Sequence, residues 1–395
     1  MSNPKKKCVK IFIFCDAVGY ELVKRHKFLA GDLPWQYPLG MQFGYSCTAV
    51  PTYLCGKKPE EHGHFSFFFY DRSGESPFKI FRFLKYFLFP RCFFDHHRVR
   101  NKISALIKKM YGFTGYFNIY RMPFEKISYF DYCEKNNIFV ANGLQPCENI
   151  EDVLRRLGVK HLVSDWHNSD EFNLEEARRH AAEGDLEFML IYTAKTDGML
   201  HFHVNEPDYI QKTFDALATR IRAIIEAAKS SYENVDFYLF SDHGMTPLAG
   251  EVDVITRIEA LPYKFGQDYV AVYDSTMLRV WILNAACRTE IVNSIAHDCH
   301  GRWLADDELQ QWGCRFADNK YGDLFFLMDA GWQINPSDMS GKTIPGMHGY
   351  SPLDKESMAS FLSLKQLDNP PQHLRNVFDL MVAEAEKVVE LRNEQ

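Results

Sequence analysis

Short runs of apolar residues, bounded by polar turns, recur along the chain and predict buried β-strands. The clearest runs cover residues 9–14, 188–192, 236–240 and 278–283. Because these runs are continuous, they favour a parallel sheet that is covered on both faces. Apolar positions with helical spacing lie between and after them, at residues 150–157, 209–229 and 377–391. This alternation predicts an α/β fold, with a mostly parallel central sheet sandwiched by helices.

Residues 64–145 interrupt this pattern and predict an inserted, aromatic-rich cap, mostly helical. Phenylalanine and tyrosine crowd residues 65–94, where lysine and arginine are interleaved with them. We therefore divide the chain into a catalytic core of residues 1–63 and 146–395, and a cap of residues 64–145. Three interpretations of the aromatic residues stay open: a core of the cap itself, a substrate pocket, or a weak membrane-surface contact, since basic amphipathic segments can lie at an interface.

Composition narrows the class of protein. Apolar residues make up 46 % of the 395 residues, which is enough for a large buried core, and the net charge of −7 gives no reason to expect a nucleic-acid polymer as partner. The apolar stretch near the N-terminus is shorter than a secretory signal requires, and no apolar run is long enough to span a membrane. The ten cysteines form no metal or disulfide pattern. We expect reduced cysteines and a cytoplasmic protein.

Three aspartates stand where an α/β fold places its chemistry. Asp16 and Asp242 follow the first and third predicted strands almost directly, and Asp197 comes a few residues after the second. In open α/β sheets, sites form at the carboxyl ends of the strands. We therefore expect these three carboxylates to meet at one edge of the sheet.

Histidines accompany two of these aspartates. Asp197 and His201 are four residues apart and can face one metal ion, although this spacing also arises by chance, and His203 is a spare candidate. His243 follows Asp242 and precedes a glycine, which permits a sharp turn. A charged aspartate at the end of an apolar run is costly unless it is paired or bound to a metal. The Asp242–His243 pair therefore indicates a metal site.

Two further candidates lie in turns. His348 is closely flanked by Gly346 and Gly349, which indicates a loop that approaches another group. Ser46 opens a predicted helix that ends near Gly56, and free N–H groups at a helix N-terminus favour an anion such as a phosphoryl group. Ser46 could equally be a simple capping residue. Carboxylate and imidazole ligands suit Zn²⁺ or Mn²⁺ better than Ca²⁺, and Zn²⁺ is our first choice for a pair of divalent ions.

The order of these residues resembles the alkaline phosphatase superfamily and, within it, the type I phosphodiesterase / nucleotide pyrophosphatase family. The resemblance covers residues 9–63, 186–247 and 270–360, and it rests on the Asp-x-x-x-His, Asp-His-Gly-Met and His-Gly-Tyr motifs. The family's nucleophile lies ten residues before the glycine of a Thr-Gly pair. Counting back from Gly56 gives Ser46.

The resemblance also implies the roles of the site residues. It implies a covalent intermediate on Ser46, with the backbone N–H of Cys47 as a donor to the oxyanion. It implies two metal sites that Ser46 bridges, one formed by Asp197, His201 and His348 and the other by Asp16, Asp242 and His243.

Two departures from the family pattern concern the substrate. Thr48 stands where the family often has proline, and Cys55 replaces the threonine of the Thr-Gly pair. Neither position is an expected metal ligand. A sulfatase is excluded, because the residues after Cys47 lack the x-Pro-x-Arg pattern.

Together these features predict a two-metal hydrolase that cleaves a phosphodiester or nucleotide pyrophosphate bond in a small molecule. A phosphomonoesterase, a phosphonate hydrolase or a phosphotransferase of the same superfamily are alternatives, and a non-catalytic binding homologue is a weaker one. A monoesterase usually has an extra cation near the phosphate, for which Lys195 and Arg279 are candidates. The sequence does not identify residues that bind the leaving group.

Overall fold

The computed structural model describes residues 5–88, 91–297 and 299–393. Phe89, one of the aromatic residues of the predicted cap, lies outside the described residues. In the part of the chain that is described, no helix is long and apolar enough to cross a membrane. The strands are β1 (Lys6–Cys15), β2 (Trp35–Leu39), β3 (Phe68–Tyr70), β4 (Phe130–Tyr132), β5 (His161–Val163), β6 (Phe188–Thr193), β7 (Tyr232–Phe240), β8 (Thr246–Pro247), β9 (Gly250–Val252), β10 (Tyr269–Tyr273), β11 (Met277–Ile282), β12 (Gly301–Trp303), β13 (Leu324–Met328), β14 (Trp332–Ile334), β15 (Gly346–Met347) and β16 (Ala359–Ser363).

The helices alternate with the strands over much of the chain. They are α1 (Tyr20–His26), α2 (Ser46–Cys55), α3 (Pro59–His62), α4 (Phe81–Leu84), α5 (Arg91–Phe94), α6 (His97–Tyr111), α7 (Phe124–Ile127), α8 (Ile150–Arg156), α9 (Asp170–Glu183), α10 (Lys195–His203), α11 (Pro207–Ser231), α12 (Val254–Glu259), α13 (Cys287–Ser294), α14 (Asp306–Gln311) and α15 (Arg375–Asn393).

The central sheet has six strands in the order β2-β16-β7-β1-β6-β5. Strand β1 pairs in parallel with β6 and β7, and β5 pairs in parallel with β6. Strand β16 is antiparallel to both of its neighbours, so it is the one strand of the six that runs against the others. The predicted α/β fold with a mostly parallel central sheet is confirmed.

Helices cover both faces of this sheet. Alternate residues of β1 enter opposite cores: Ile11 and Ile13 pack with α1, α9 and α11, whereas Phe12 and Phe14 pack with α2, α8 and α15. This alternation is the period-2 geometry of a strand. Because both faces are covered, the run has no polar face, and the apolar stretch in the sequence is continuous.

A second, four-stranded sheet in the order β10-β11-β13-β12 is antiparallel throughout. The predicted strand at residues 278–283 exists as β11, but its predicted place in the parallel sheet is wrong. Strand β11 is also buried on both faces, with Leu278 in one core and Trp281 in another. A continuous apolar run reports burial on both sides and does not identify the sheet that provides it.

The predicted cap contains a strand pair as well as helices. Strands β3 and β4 pair antiparallel, α6 is a helix of 15 residues, and α4, α5 and α7 have four residues each. Most residues of its buried cluster, including Phe68, Phe81 and Phe130, come from the cap itself, and the cluster continues into Val270 and Trp281 of the second sheet. This part of the chain is therefore anchored on the second sheet.

Candidate active site

The three aspartates meet at the carboxyl edge of the central sheet. Asp16 follows β1 directly, Asp242 lies two residues after β7, and Asp197 lies in the first turn of α10 after β6. Because β1 lies between β6 and β7, the three strand ends are adjacent. The Asp16 amide donates to the Thr193 carbonyl at 3.0 Å, and the Ala17 amide donates to Oδ1 of Asp242 at 3.4 Å. The backbone therefore fixes the positions of these carboxylates.

One group of metal-ligand atoms comes from Asp16, Asp242 and His243. Nε2 of His243 lies 3.5 Å from Oδ1 of Asp16 and 3.4 Å from Oδ2 of Asp242. On the other side of the ring, Nδ1 of His243 lies 2.8 Å from the Gly244 carbonyl and donates to it. This hydrogen bond leaves the Nε2 lone pair facing the carboxylates, as in a histidine that binds a metal. Gly244 permits the turn, since a Cβ there would lie 2.1 Å from the Glu356 carbonyl oxygen.

A second group surrounds Asp197. Nε2 of His348 lies 3.6 Å from Oδ1 of Asp197, and Nε2 of His201 lies 3.3 Å from Oδ2. His201 is oriented by its Nδ1, which donates to the Gly346 carbonyl at 2.9 Å. The ligand atoms of Asp197, His243 and His348 all lie within 4.8 Å of one another. His201 is not part of this set, but its Nε2 contacts Oδ2 of Asp197.

The two groups of ligand atoms are adjacent and have His243 in common. The rings of His243 and His348 stack with their centroids 3.7 Å apart and an interplanar angle of 10°. His243 belongs to both sets of ligand atoms that lie within 4.8 Å of one another. The arrangement can therefore hold two cations side by side.

Several ligand atoms are buried without a hydrogen-bond partner. In the described part of the chain, no hydrogen-bond donor reaches Oδ1 of Asp16, Oδ1 of Asp197 or Oδ2 of Asp242. Burial, and then the nearby Asp242, raises the pKa of Asp16 well above its ordinary value, and burial raises the pKa of Asp242. Buried, unpaired carboxylates are costly, and a bound cation relieves that cost. The residues present therefore fit two divalent metal ions.

Neighbouring histidines influence the protonation of Asp197 and His348 in the second group of ligand atoms. Burial opposes ionisation of Asp197, but the hydrogen bond with His201, together with the charges of His201, His348 and His243, outweighs burial and lowers the pKa of Asp197. Burial, and then the neighbouring His243, lowers the pKa of His348 well below its ordinary value. A neutral histidine has a free lone pair, which a metal ligand requires.

Ser46 is the first residue of α2, and its hydroxyl faces the ligand groups. Its Oγ lies 3.3 Å from Nε2 of His243. The residue before the helix, Tyr45, provides no side-chain cap, and the helix ends at Gly56 with φ of 68°. The N–H of Cys47 lies in the first turn, where amides have no intrahelical acceptor. This end of α2 is therefore open to an anion beside the ligand groups.

The neighbouring side chains point away from the site. The buried thiol of Cys47 donates to the Phe65 carbonyl at 3.6 Å, and burial raises its pKa well above the ordinary value. Thr48 is fully buried, and its hydroxyl donates to the same carbonyl. Among these residues, Ser46 has the hydroxyl that lies beside the ligand groups.

A cavity of about 410 Å³ opens in front of Ser46. Its walls combine aromatic rings with carboxylate, imidazole, amide and hydroxyl side chains. Besides Asp16, Ser46, Cys47, Asp197, His201 and His348, it is lined by Phe67, Tyr116, Tyr120, Glu134, Phe139, Trp166 and Tyr192, among others.

The sequence did not identify the individual residues of this wall. The aromatic enrichment of residues 64–145 was the available signal for Phe67, Tyr116 and Tyr120. Glu134 had no such signal, and the structure shows it buried in the cavity wall, where burial raises its pKa to about 8. The two candidate cations lie elsewhere: Arg279 is fully buried and paired with Asp274, and Lys195 is exposed and paired with Glu171.

A third group of possible ligands lies far from Ser46 in the chain, on the surface at the end of α9. It consists of His180, Glu183 and Asp185. Arg179 already pairs with Glu183 at 2.9 Å, and Nδ1 of His180 lies 3.0 Å from Asp185. These contacts partner the group internally, and the spare candidate His203 likewise pairs with Glu206.

The sequence and the fold of this chain match a known family. Residues 44–351 match the model of the type I phosphodiesterase / nucleotide pyrophosphatase family, and the chain belongs to that family. No curated protein sequence matches the chain.

Solved structures share the fold over nearly the whole chain. Murine ectonucleotide pyrophosphatase / phosphodiesterase 5 is 13 % identical, with a TM-score of 0.66 over 96 % of this chain and 95 % of that one. The human protein of the same name is 12 % identical, with a TM-score of 0.67 over 97 % and 95 %. An inactive variant of the murine protein in complex with AMP is 14 % identical, with a TM-score of 0.66 over 96 % and 95 %.

Proposed function

We propose that this protein hydrolyses phosphodiester or nucleotide pyrophosphate bonds in small molecules, with Ser46 as nucleophile and two divalent metal ions. The proposal is supported by family membership and by the two groups of ligand atoms beside the Ser46 hydroxyl. Zn²⁺ is the first choice and Mn²⁺ the second, because the ligands combine carboxylates with imidazoles. The residues that would hold the ions are Asp16, Asp197, His201, Asp242, His243 and His348, together with Ser46.

The charge of the cavity is the observation that favours a diester. Among the described residues that line it, none is lysine or arginine. A phosphomonoester carries up to two negative charges, and a site specialised for it needs a fixed cation beyond the metals. A phosphodiester carries one negative charge and has a second substituent, which the aromatic cavity can accept. The wall therefore suits a diester better than a monoester.

The chain's own groups account for each bond change. Ser46 Oγ forms a bond to phosphorus, its proton passes to solvent, and the bond between phosphorus and the leaving oxygen breaks. The backbone N–H of Cys47 donates to the oxyanion that develops. Water then attacks the phosphoserine from the opposite side and restores the Ser46 hydroxyl. The bound ions would supply Lewis acidity that favours the serine alkoxide and the leaving group.

Nucleotides are the substrate class we favour. A relative of the same fold was solved in complex with AMP, and the cavity here has aromatic walls on which a nucleobase could stack. We also propose a cytoplasmic location, because buried cysteines such as Cys8, Cys15 and Cys47 are free thiols.

Hydrolysis of two chromogenic esters tests the proposal. The purified protein, loaded with Zn²⁺, should cleave bis-p-nitrophenyl phosphate with a kcat/KM at least tenfold above that for p-nitrophenyl phosphate. A clear preference for the monoester would favour the phosphomonoesterase alternative and overturn the diesterase proposal.

Metal analysis of the same preparation separates an enzyme from a binding homologue. About two bound ions per chain, together with turnover, support the proposal. Absence of both would favour a non-catalytic homologue.

A further inference from the structure

An exposed aromatic and basic surface lies on α4 and the turn that follows it. We define this surface, the basic-aromatic face, by Arg82, Phe83, Lys85, Tyr86 and Phe87. Phe83, Tyr86 and Phe87 are 72 %, 70 % and 78 % exposed, which is unusual for large apolar side chains. Contiguous exposed apolar groups with a polar rim mark an interaction site.

Buried side chains and a hydrogen bond hold the segment that carries this face against the rest of the protein. Phe78 and Phe81 are buried, and the Phe81 ring stacks on Phe124 at 5.7 Å with an interplanar angle of 2°. The Tyr111 hydroxyl at the end of α6 donates to the Pro77 carbonyl. The outward rings therefore protrude from a segment whose other rings belong to the core.

Charge is segregated into the same part of the chain. Residues 76–122 contain ten lysines and arginines and one acidic residue, whereas the whole chain has 45 basic and 52 acidic residues. The single acid, Asp95, pairs with Arg100. The other cations of this segment therefore have no acidic residue within the segment to pair with. The remainder of the chain, in contrast, has an excess of acidic residues.

We propose that the basic-aromatic face docks on the surface of an anionic lipid bilayer. Aromatic rings settle at the headgroup boundary, and neighbouring lysines and arginines are attracted to anionic lipids. Along residues 82–87 cations and rings alternate within one or two positions, whereas the centre of a protein–protein interface is depleted of lysine. The acidic remainder of the chain would be repelled by the same surface, which favours one orientation.

The segment that carries the docking face, residues 76–122, also contributes to the active-site cavity. The ammonium group of Lys108, near the end of α6, lies 5.3 Å from the centroid of the Trp166 ring, and Trp166 lines the cavity. Tyr116, which follows α6, lines it as well. The inference rests on exposure and charge, and it stands whether or not the proposed reaction is correct.

Sedimentation with vesicles tests the inference directly. The full chain should bind vesicles of phosphatidylcholine with phosphatidylserine, and binding should weaken as salt is added, because the attraction is screened. Vesicles of phosphatidylcholine alone should bind at least tenfold more weakly.

Two paired substitutions separate the contributions. Arg82→Glu with Lys85→Glu, and Phe83→Ser with Phe87→Ser, should each reduce binding to the anionic vesicles about tenfold or more. Phe172→Ser with Leu353→Ser is the matched control, because these residues are also exposed, at 54 % and 84 %, and lie outside the face. The control should bind like the original protein, and all three variants should keep the circular dichroism spectrum and the Tm of the original protein, which verifies folding.

Three results would overturn the inference. The first is equal binding to neutral and anionic vesicles, or to neither. The second is unchanged binding by both face variants. The third is a different occupant of the face: light scattering that shows self-association lost in Phe83→Ser with Phe87→Ser, or binding of a homopolymeric RNA in place of vesicles.

Discussion

The carboxyl edge of the central sheet and the inserted segment hold their polar groups in opposite ways. At the edge, Asp16 and Asp242 are buried, and each is held in position at the end of a strand of the same sheet. In the cap, Arg100 is buried but most other cations lie at or near the surface, and the aromatic rings are divided between a core shared with the second sheet and an exposed face. The comparison supports the proposal that the sheet edge holds the reacting groups and that the cap determines which substrate approaches them.

Loss of His243 should have the largest effect, because its Nε2 belongs to both ligand groups. His243→Ala should lower kcat/KM for a diester by about 10³-fold or more, since a bound ion contributes several kcal/mol to the stabilisation of charge in the transition state. Steady-state kinetics with excess Zn²⁺ is the measurement.

The surface group at the end of α9 provides the matched control. His180→Ala also removes a histidine from a set of possible ligands, yet it should change kcat/KM by less than about twofold, because the group is not at the sheet edge. Equal losses in the two variants would break the distinction between these groups.

The buried and exposed rings of the insert should differ in stability. Phe130→Ala should lower the free energy of unfolding by about 3–4 kcal/mol, because the ring is fully buried in the cluster shared with the second sheet. Phe87→Ala should change it by no more than about 0.5 kcal/mol, because that ring is exposed. Urea unfolding measures both, and similar values for the pair would contradict the division of the rings.

Removal of metal should destabilise the protein moderately. At a metal concentration of about 100 times Kd, binding contributes about 2.7 kcal/mol to stability, so a chelator should lower Tm measurably. Asp242→Asn is the control: its Tm should respond much less to the chelator, since a ligand carboxylate is missing. A Tm of the original protein that ignores both metal and chelator would contradict a site at the sheet edge.

Glu134 should have the smallest effect, and it should depend on pH. Its pKa is raised by burial to about 8, so the group is neutral below that pH and becomes a carboxylate above it. Above pH 8 the new charge should repel an anionic diester and raise KM by about threefold to tenfold. Glu134→Gln should remove this rise and resemble the original protein at lower pH. A rise that persists in the variant would exclude Glu134 as its source.

Features that depend on local sequence could be predicted, and those that depend on tertiary packing could not. Asp16 and Asp242 end continuous apolar runs, and such runs become neighbouring parallel strands. The partner of β11 could not be predicted, because burial on both faces produces the same run in either sheet. Glu134 and Trp166 come from separate loops, after β4 and β5, and they meet in the cavity only because the insert packs beside the site.

In the proposed reaction, Ser46 carries the phosphoryl group. The most direct measurement is turnover of bis-p-nitrophenyl phosphate by Ser46→Ala, with bound metal determined in the same sample. We expect turnover to fall at least about 10³-fold while both ions remain bound, because the nucleophile is lost and the carboxylate and histidine ligands are intact. Turnover near that of the original protein, with both ions present, would contradict the claim.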